Sequence, residues 1–249
     1  MLNRCIFWMI LYGVIGWIYE TCLCSITERR FVNRGFLNGP YCPIYGFGAV
    51  LVVLLLGWIQ NPILLFFAGA ILTCTLEYFT SWLMERIFHA RWWDYSDRKC
   101  QLNGRVCLAG ALVFGTLSVV VVKWLHPLIL RMTDAIPDKY FNDIVLLLFG
   151  LLVADFVFTV TKLQGFHQKL HTLHEHLRQD LPNGPQLRQE LQYKMEQRQK
   201  QVSGTLRSFS ERLNSQERRT LKSFSRFRPQ RHMEDLQKLR EALKNFKRR

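Results

Sequence analysis

Several signatures of catalysis are missing from this chain of 249 residues, and each absence removes a class of function. No GxxxxGK[ST] occurs, so the chain cannot cradle ATP phosphates in a P-loop. Neither a GxSxG nucleophile elbow nor an HExxH zinc helix is present. The seven cysteines, an odd number, lack the paired spacing of a zinc site, so reduced thiols, no metal and no cofactor are expected. No residue is assigned a catalytic role. Charge is also scarce at first: residues 1–163 hold 13 Lys/Arg and 10 Asp/Glu, whereas residues 164–249 hold 20 and 9. A mean hydropathy of +0.01 with a net charge of +14 therefore averages over two unlike parts.

Long apolar runs fill the charge-poor part: residues 5–24, 44–59, 62–83, 106–125 and 144–161. Their lengths approach or reach the roughly 17–25 residues that span a bilayer. Only Gln60 and Asn61 separate the second run from the third, which predicts a tight hairpin. The expectation is an all-α bundle of about five transmembrane helices over residues 1–163, followed by a basic helical cytoplasmic tail over residues 164–249. Loop charge sets the orientation. Arg29, Arg30 and Arg34 lie in one loop and Arg86, Arg91, Arg98, Lys99 and Arg105 in another, against Arg4, Lys123, Arg131 and Lys139 on the opposite side. The bias predicts a multi-pass cell-membrane protein with its N-terminus outside and its tail inside. Glu20 and Thr21 interrupt the place where a signal peptide would be cleaved.

Three apolar runs each carry one acid. Glu20 lies eight residues before Glu28, Glu77 eight before Glu85 and Asp155 seven before Lys162. At about 1.5 Å per residue these acids sit some 10–12 Å inside the hydrocarbon. Each costs about 2.5–3.5 kcal/mol there, so a functional or paired role is expected. Turned toward a common interior, they would hold a cation, a proton or an amine. The competing reading is polar glue between helices: Glu20 bonded to Tyr78 or Ser81, Asp155 to Thr159, and Glu77 to a snorkelling Arg105. Gly13, Gly16, Gly69, Ala111 and Gly115 mark close helix contacts.

Two inward loops are unlike solvated connectors. Residues 31–48 hold four glycines and two prolines in an aromatic setting, which predicts a re-entrant or interfacial turn. The second loop carries Trp93, Asp94, Tyr95 and Ser96, then Asn103, Gly104 and Arg105. Trp and Tyr there suit an interfacial belt. Asn33, Arg34, Asn103 and Arg105 are candidates to meet an anionic group beneath the acids.

The stretches GWIYE over residues 16–20, NRGFLNGPYCPIYGFG over residues 33–48, Glu77-Tyr78, Trp93 to Ser96 and Asn103 to Arg105 resemble the bacterial membrane family described as Putative ABC-transporter type IV. The resemblance covers about residues 5–125. It implies a permease-like integral membrane protein, and without a P-loop any ABC activity needs an ATPase from another chain. Five spans are few for a complete pathway, so a homodimer or a partner permease is expected as well. The rival readings are a membrane enzyme and a membrane anchor or regulator. The enzyme would act on a lipid head group, with Arg34 and Arg105 on phosphate, Glu77 as base and His89 or Asp94 nearby.

Past Leu163 the pattern changes. Leu163, Phe166, Leu170, Leu173 and Leu177 form a short coiled-coil seam that stops at the breaker of residues 182–185. Leu187, Leu191 and Met195 mark a second helix, Phe209, Leu213, Leu221 and Phe224 a third, and Met233 to Phe246 a last one. Ser208 with Glu211 is a candidate capping box. Arg218, Arg219, Lys222, Arg226, Arg228 and Arg231 would attract anionic inner-leaflet lipid at about 1 kcal/mol per charge. Nucleic acid could use the same charges, but no motif for it accompanies them. His167, His171 and His174 share one helix side, read as a polar flank rather than a metal site.

Overall fold

Apolar composition and end signals together determine where each helix starts and stops. The computed structural model describes residues 1–164, 169, 172, 173, 202, 204–223, 228, 229 and 236–239. Four helices are long and apolar enough to cross a bilayer: Leu2–Glu28, Pro62–Phe88, Leu108–Asp134 and Asp138–Leu163. The first and second of these are α1 and α3; the last is most of α6 (Asp138–Gln164). Between α1 and α3 lies α2 (Pro43–Leu56), of 14 residues. At about 1.5 Å per residue it is some 20 Å long, short of a hydrocarbon core of about 30 Å. The five expected runs thus resolve into four long helices and one short one.

α2 is short because the chain before it turns inward. α1 ends at Arg29, whose backbone is left-handed (φ 49°), with the amides of Arg29 and Arg30 on the carbonyls of Ile26 and Ser25. Residues 30–42 then run back along α1 until the Cys42 amide donates to the Gly13 carbonyl at 2.9 Å, about halfway along that helix. Pro43 opens α2 at this depth. The Gly/Pro-rich loop is therefore re-entrant, and protein covers it, with Val32 and Leu37 buried. Gly16 meets Tyr45 so closely that a Cβ there would collide with the ring, and Gly69 takes Ser118 the same way between α3 and the next helix. Asn61 caps α3, accepting from the amides of Ile63 and Leu64, and Pro62 fills the first position.

The fourth run continues past its expected end at Leu125. α4 (Leu108–Val120) passes through a π turn (Val121–Leu125) into α5 (His126–Asp134). Pro127 has no amide to donate; the His126 amide instead reaches the Val121 carbonyl, and one wide turn absorbs the interruption. Lys123 and Arg131 consequently lie on helix rather than in a connection, and Lys123 Nζ reaches the Ile59 carbonyl at 3.4 Å.

The two ends of the bundle differ. At one, Arg4 pairs with Asp134 at 3.2 Å and Asn3 donates to Asn142 at 2.8 Å. Beneath them Phe7, Trp8, Ile129, Phe141 and Val145 make an apolar core. At the other, β2 (Gln101–Leu102) and β3 (Val106–Cys107) form a hairpin, with Asn103 and Gly104 both at positive φ (52° and 69°) as a type I′ turn requires. β1 (Ala90–Arg91) pairs antiparallel with β4 (Arg228–Pro229) of the tail. Two tail helices, α7 (204–212) and α8 (Ser215–Ser223), pack beside them. Leu206, Phe209, Leu213, Leu221 and Leu236 join Trp92 and Leu163 in a second core, with Phe36 and Phe88 against it. The tail therefore folds back onto the loops that follow α1 and α3.

Asn214 and Glu217 start α8 as a reciprocal box, the Asn214 amide donating to Glu217 Oε2 at 2.8 Å and the Glu217 amide to Asn214 Oδ1 at 2.9 Å. The box expected at Ser208 and Glu211 does not form. Ser208 lies inside α7, where its hydroxyl donates to the Thr205 carbonyl. Phe166, Leu170 and Leu177 of the seam, the breaker, Leu187, Leu191, Met195, Phe224, His167, His171 and His174 lie outside the described residues, as does most of the last stripe.

Candidate functional site

The re-entrant loop brings Tyr45, at the start of α2, against α1, and there the first acid finds its partner. The Tyr45 hydroxyl donates to Glu20 Oε1 at 2.6 Å. Glu20 Oε2 lies 3.7 Å from Arg34 Nε and 3.9 Å from Cys24 Sγ. Tyr45 also lines a cavity of about 70 Å³ between α2, α3 and α4, together with Thr73, Glu77 and Ser118. Glu77 is 5% exposed. Its Oε1 accepts from the Tyr95 hydroxyl at 3.3 Å. Burial, and then the Glu77 carboxylate, push Tyr95 well above its ordinary pKa, so it stays a neutral donor. Glu20 with Tyr45 and Glu77 with Tyr95 are thus two hydrogen-bonded pairs, and Tyr45 and Glu77 line the same cavity. Tyr45 is the member that sequence reasoning missed; its position inside the GPYCPIYGFG stretch was the available signal.

Asp155 does something else. Its Oδ1 accepts from the Asn38 amide and side chain, both at 3.2 Å, and from Thr159 Oγ1 at 3.4 Å; its Oδ2 accepts from the Gly39 amide at 2.8 Å. The third acid fastens the tip of the re-entrant loop to α6. On the α1 side the same loop is held by Asn33, whose Oδ1 accepts from Trp17 Nε1 at 2.7 Å, and by the Arg34 amide on Thr21 Oγ1.

The second inward loop folds around its own motifs. The Tyr95 amide donates to the Gly104 carbonyl at 2.8 Å, and Trp93 Nε1 to the Arg105 carbonyl at 3.0 Å. Asp94, buried, accepts from the Ser96 amide and hydroxyl and lies where a Cβ on Gly104 would be. Asn103 donates to the Tyr78 hydroxyl at 2.9 Å. Arg105 pairs with Glu85 at 2.7 Å and covers the Tyr78 ring; Arg91 takes the other Glu85 oxygen at 3.0 Å. Glu85, read in the sequence only as a depth marker, organises this loop. Asn33, Arg34, Asn103 and Arg105 do not converge: the first two serve the re-entrant loop and the last two serve α3.

The basic patch is divided. Arg219 Nη2 donates to the carbonyls of Gly35 and Phe36 at 2.9 and 2.7 Å, and Gln216 Nε2 to that of Phe36 at 3.0 Å. In return Arg34 donates to the Ser223 carbonyl. Arg218 turns to the carbonyls of Leu213 and Ser210. Lys222 and Arg228 are described by backbone alone, and Arg226 and Arg231 lie outside the described residues. Among the described residues no cluster of metal-ligating side chains occurs.

Four long apolar helices, a short fifth and a re-entrant loop between polar residues define a helical membrane protein. The chain belongs to the family described as Putative ABC-transporter type IV, which matches residues 7–160 and so takes in α6 as well as the motifs. No curated protein and no solved structure matches it.

Proposed function

We propose that this chain is the membrane-spanning component of an ABC-type permease that draws on an ATPase from another chain, with its polar centre at Glu20, Tyr45 and Glu77 in the inner-leaflet half. The observation that carries this reading is that Tyr45, beside a re-entrant loop, donates to Glu20 and also lines the cavity that Glu77 lines. Irregular backbone at membrane depth is tolerated where protein or a water-lined site covers it, and broken helices of this sort surround ion and substrate sites in transporters. Positive charge in the loops places the N-terminus outside and the tail inside. Outward apolar residues such as Ile71, Phe79, Leu112, Leu146 and Phe156 face lipid or a second copy. Anionic lipid at the tail rests on Lys222, Arg226, Arg228 and Arg231, since Arg218 and Arg219 are turned toward backbone carbonyls.

Purification of the full chain from crosslinked native membranes tests the assignment. An ATP-binding subunit should co-purify with vanadate-sensitive ATP hydrolysis; recovery of the chain without any nucleotide-binding partner would overturn it. For the orientation, the exposed Cys100 in the second loop should react with a membrane-impermeant maleimide only in inside-out vesicles.

A further inference from the structure

The two oxygens of Glu77 are treated differently. Oε1 has the Tyr95 hydroxyl, whereas Oε2 is buried and receives nothing from the described residues. A buried acceptor without a donor costs about 1–3 kcal/mol, more when charged, and a carboxylate in hydrocarbon calls for a cation or a proton. The surrounding groups supply neither charge. Tyr45 faces the site from α2, Tyr95 from the second loop and Cys107 from the start of α4, where Gly110 separates its sulfur from Oε2. Cys74 flanks it on α3 itself, and Glu20 acts on it from α1 with the same sign. Neither loop arginine pairs with Glu77: Arg105 Nη2 goes to Glu85, and Arg34 goes to Glu20 and Ser223.

No described residue therefore supplies a partner for Oε2, and the cavity limits the size of what can reach it. About 70 Å³ holds a few waters at roughly 10–15 Å³ each and excludes an organic cargo. Thr73 and Ser118 give their hydroxyl protons to the carbonyls of Gly69 and Phe114, leaving lone pairs for water. The rest of the lining is apolar, including Ala49, Val52, Leu117 and Val121. Such walls favour a neutral carboxyl over a carboxylate with a bare metal ion.

We propose that Glu77 is a proton-binding site, its Oε2 taking a proton from water in the cavity between α2, α3 and α4 while Tyr95 holds Oε1. In balance, the carboxylate and a hydronium ion give the carboxylic acid and water. This deepens the reading of the polar centre and rests on it, but its test needs neither cargo nor ATPase. Dicyclohexylcarbodiimide adds to protonated carboxyls in apolar surroundings. Applied to the full chain in liposomes and read by peptide mass spectrometry, it should label Glu77 at least about tenfold faster near pH 6 than near pH 9, and faster than Glu20 or Asp155. Glu77→Gln should lose the label while Glu77→Asp keeps it, and sodium should not protect. An unlabelled Glu77, a rate flat in pH, or protection by sodium at fixed pH would overturn the proposal. Failure to recover an ATPase would leave the labelling unchanged, so the two readings fail separately.

Discussion

Asp155 and Glu77 are both acids set within apolar helices, yet one gathers four donors and the other a single one. Three of the four come from the re-entrant loop, and Thr159 adds the fourth from α6 itself. Two of them are backbone amides, Asn38 and Gly39, exposed by irregular chain at membrane depth. Satisfying those amides in hydrocarbon needs a fixed acceptor, and a carboxylate supplies several lone pairs at once. Glu77 instead faces a cavity with one oxygen open. A fully bonded acid is a fastener; an under-bonded one beside a water-sized space is suited to exchange something with it.

Substitutions should separate the two kinds of site, beginning with the largest effect. Asp155→Ala removes the acceptor of both loop-tip amides, Asn38 and Gly39, and should cost about 3 kcal/mol, lowering the thermal midpoint in detergent by about 6–12 °C for a chain of this size. Gly16→Leu drives a side chain into Tyr45 and should cost about 1–3 kcal/mol, weakening the hold on Glu20 at the same time; an unchanged midpoint would mean that α2 shifts freely. Arg219→Ala removes a donor from the Gly35 carbonyl and one of two from the Phe36 carbonyl and should cost about 1–2 kcal/mol, with the tail cut sooner by protease than in the parent. Glu77→Gln should change the midpoint least, within about 1 kcal/mol, because a neutral isostere replaces a carboxyl that the protein satisfies only in part. If Glu77→Gln proved as destabilising as Asp155→Ala, the contrast between the sites would vanish.

Much of the framework was legible because apolar runs and helix-end residues are local signals. The break at Gln60 and Asn61 and the Gly/Pro-rich loop fall where they were expected, whereas the tight turn at Asn103-Gly104 was not anticipated. The depth of the loop was not legible, since it depends on the Cys42 amide finding Gly13, a contact between distant positions. For the same reason equal depth on three helices did not fix which acids share a face: α2 delivers Tyr45 to Glu20, while the loop takes Asp155 for itself. Of the polar-glue pairings weighed for the acids, only Asp155 with Thr159 occurs. The run expected to end at Leu125 instead continues through Pro127, because a five-residue detour in hydrogen bonding absorbs the missing amide.

The packing of the tail against the inner loops has a practical consequence. Trp92, Phe36 and Phe88 sit under Leu206, Phe209 and Leu236, so a protein shortened at residue 163 would present a sticky aromatic floor to solvent. Shortened or C-terminally fused versions made for biochemistry should therefore aggregate for reasons unrelated to the bilayer, and any that stay monodisperse will have recruited something else to cover that floor.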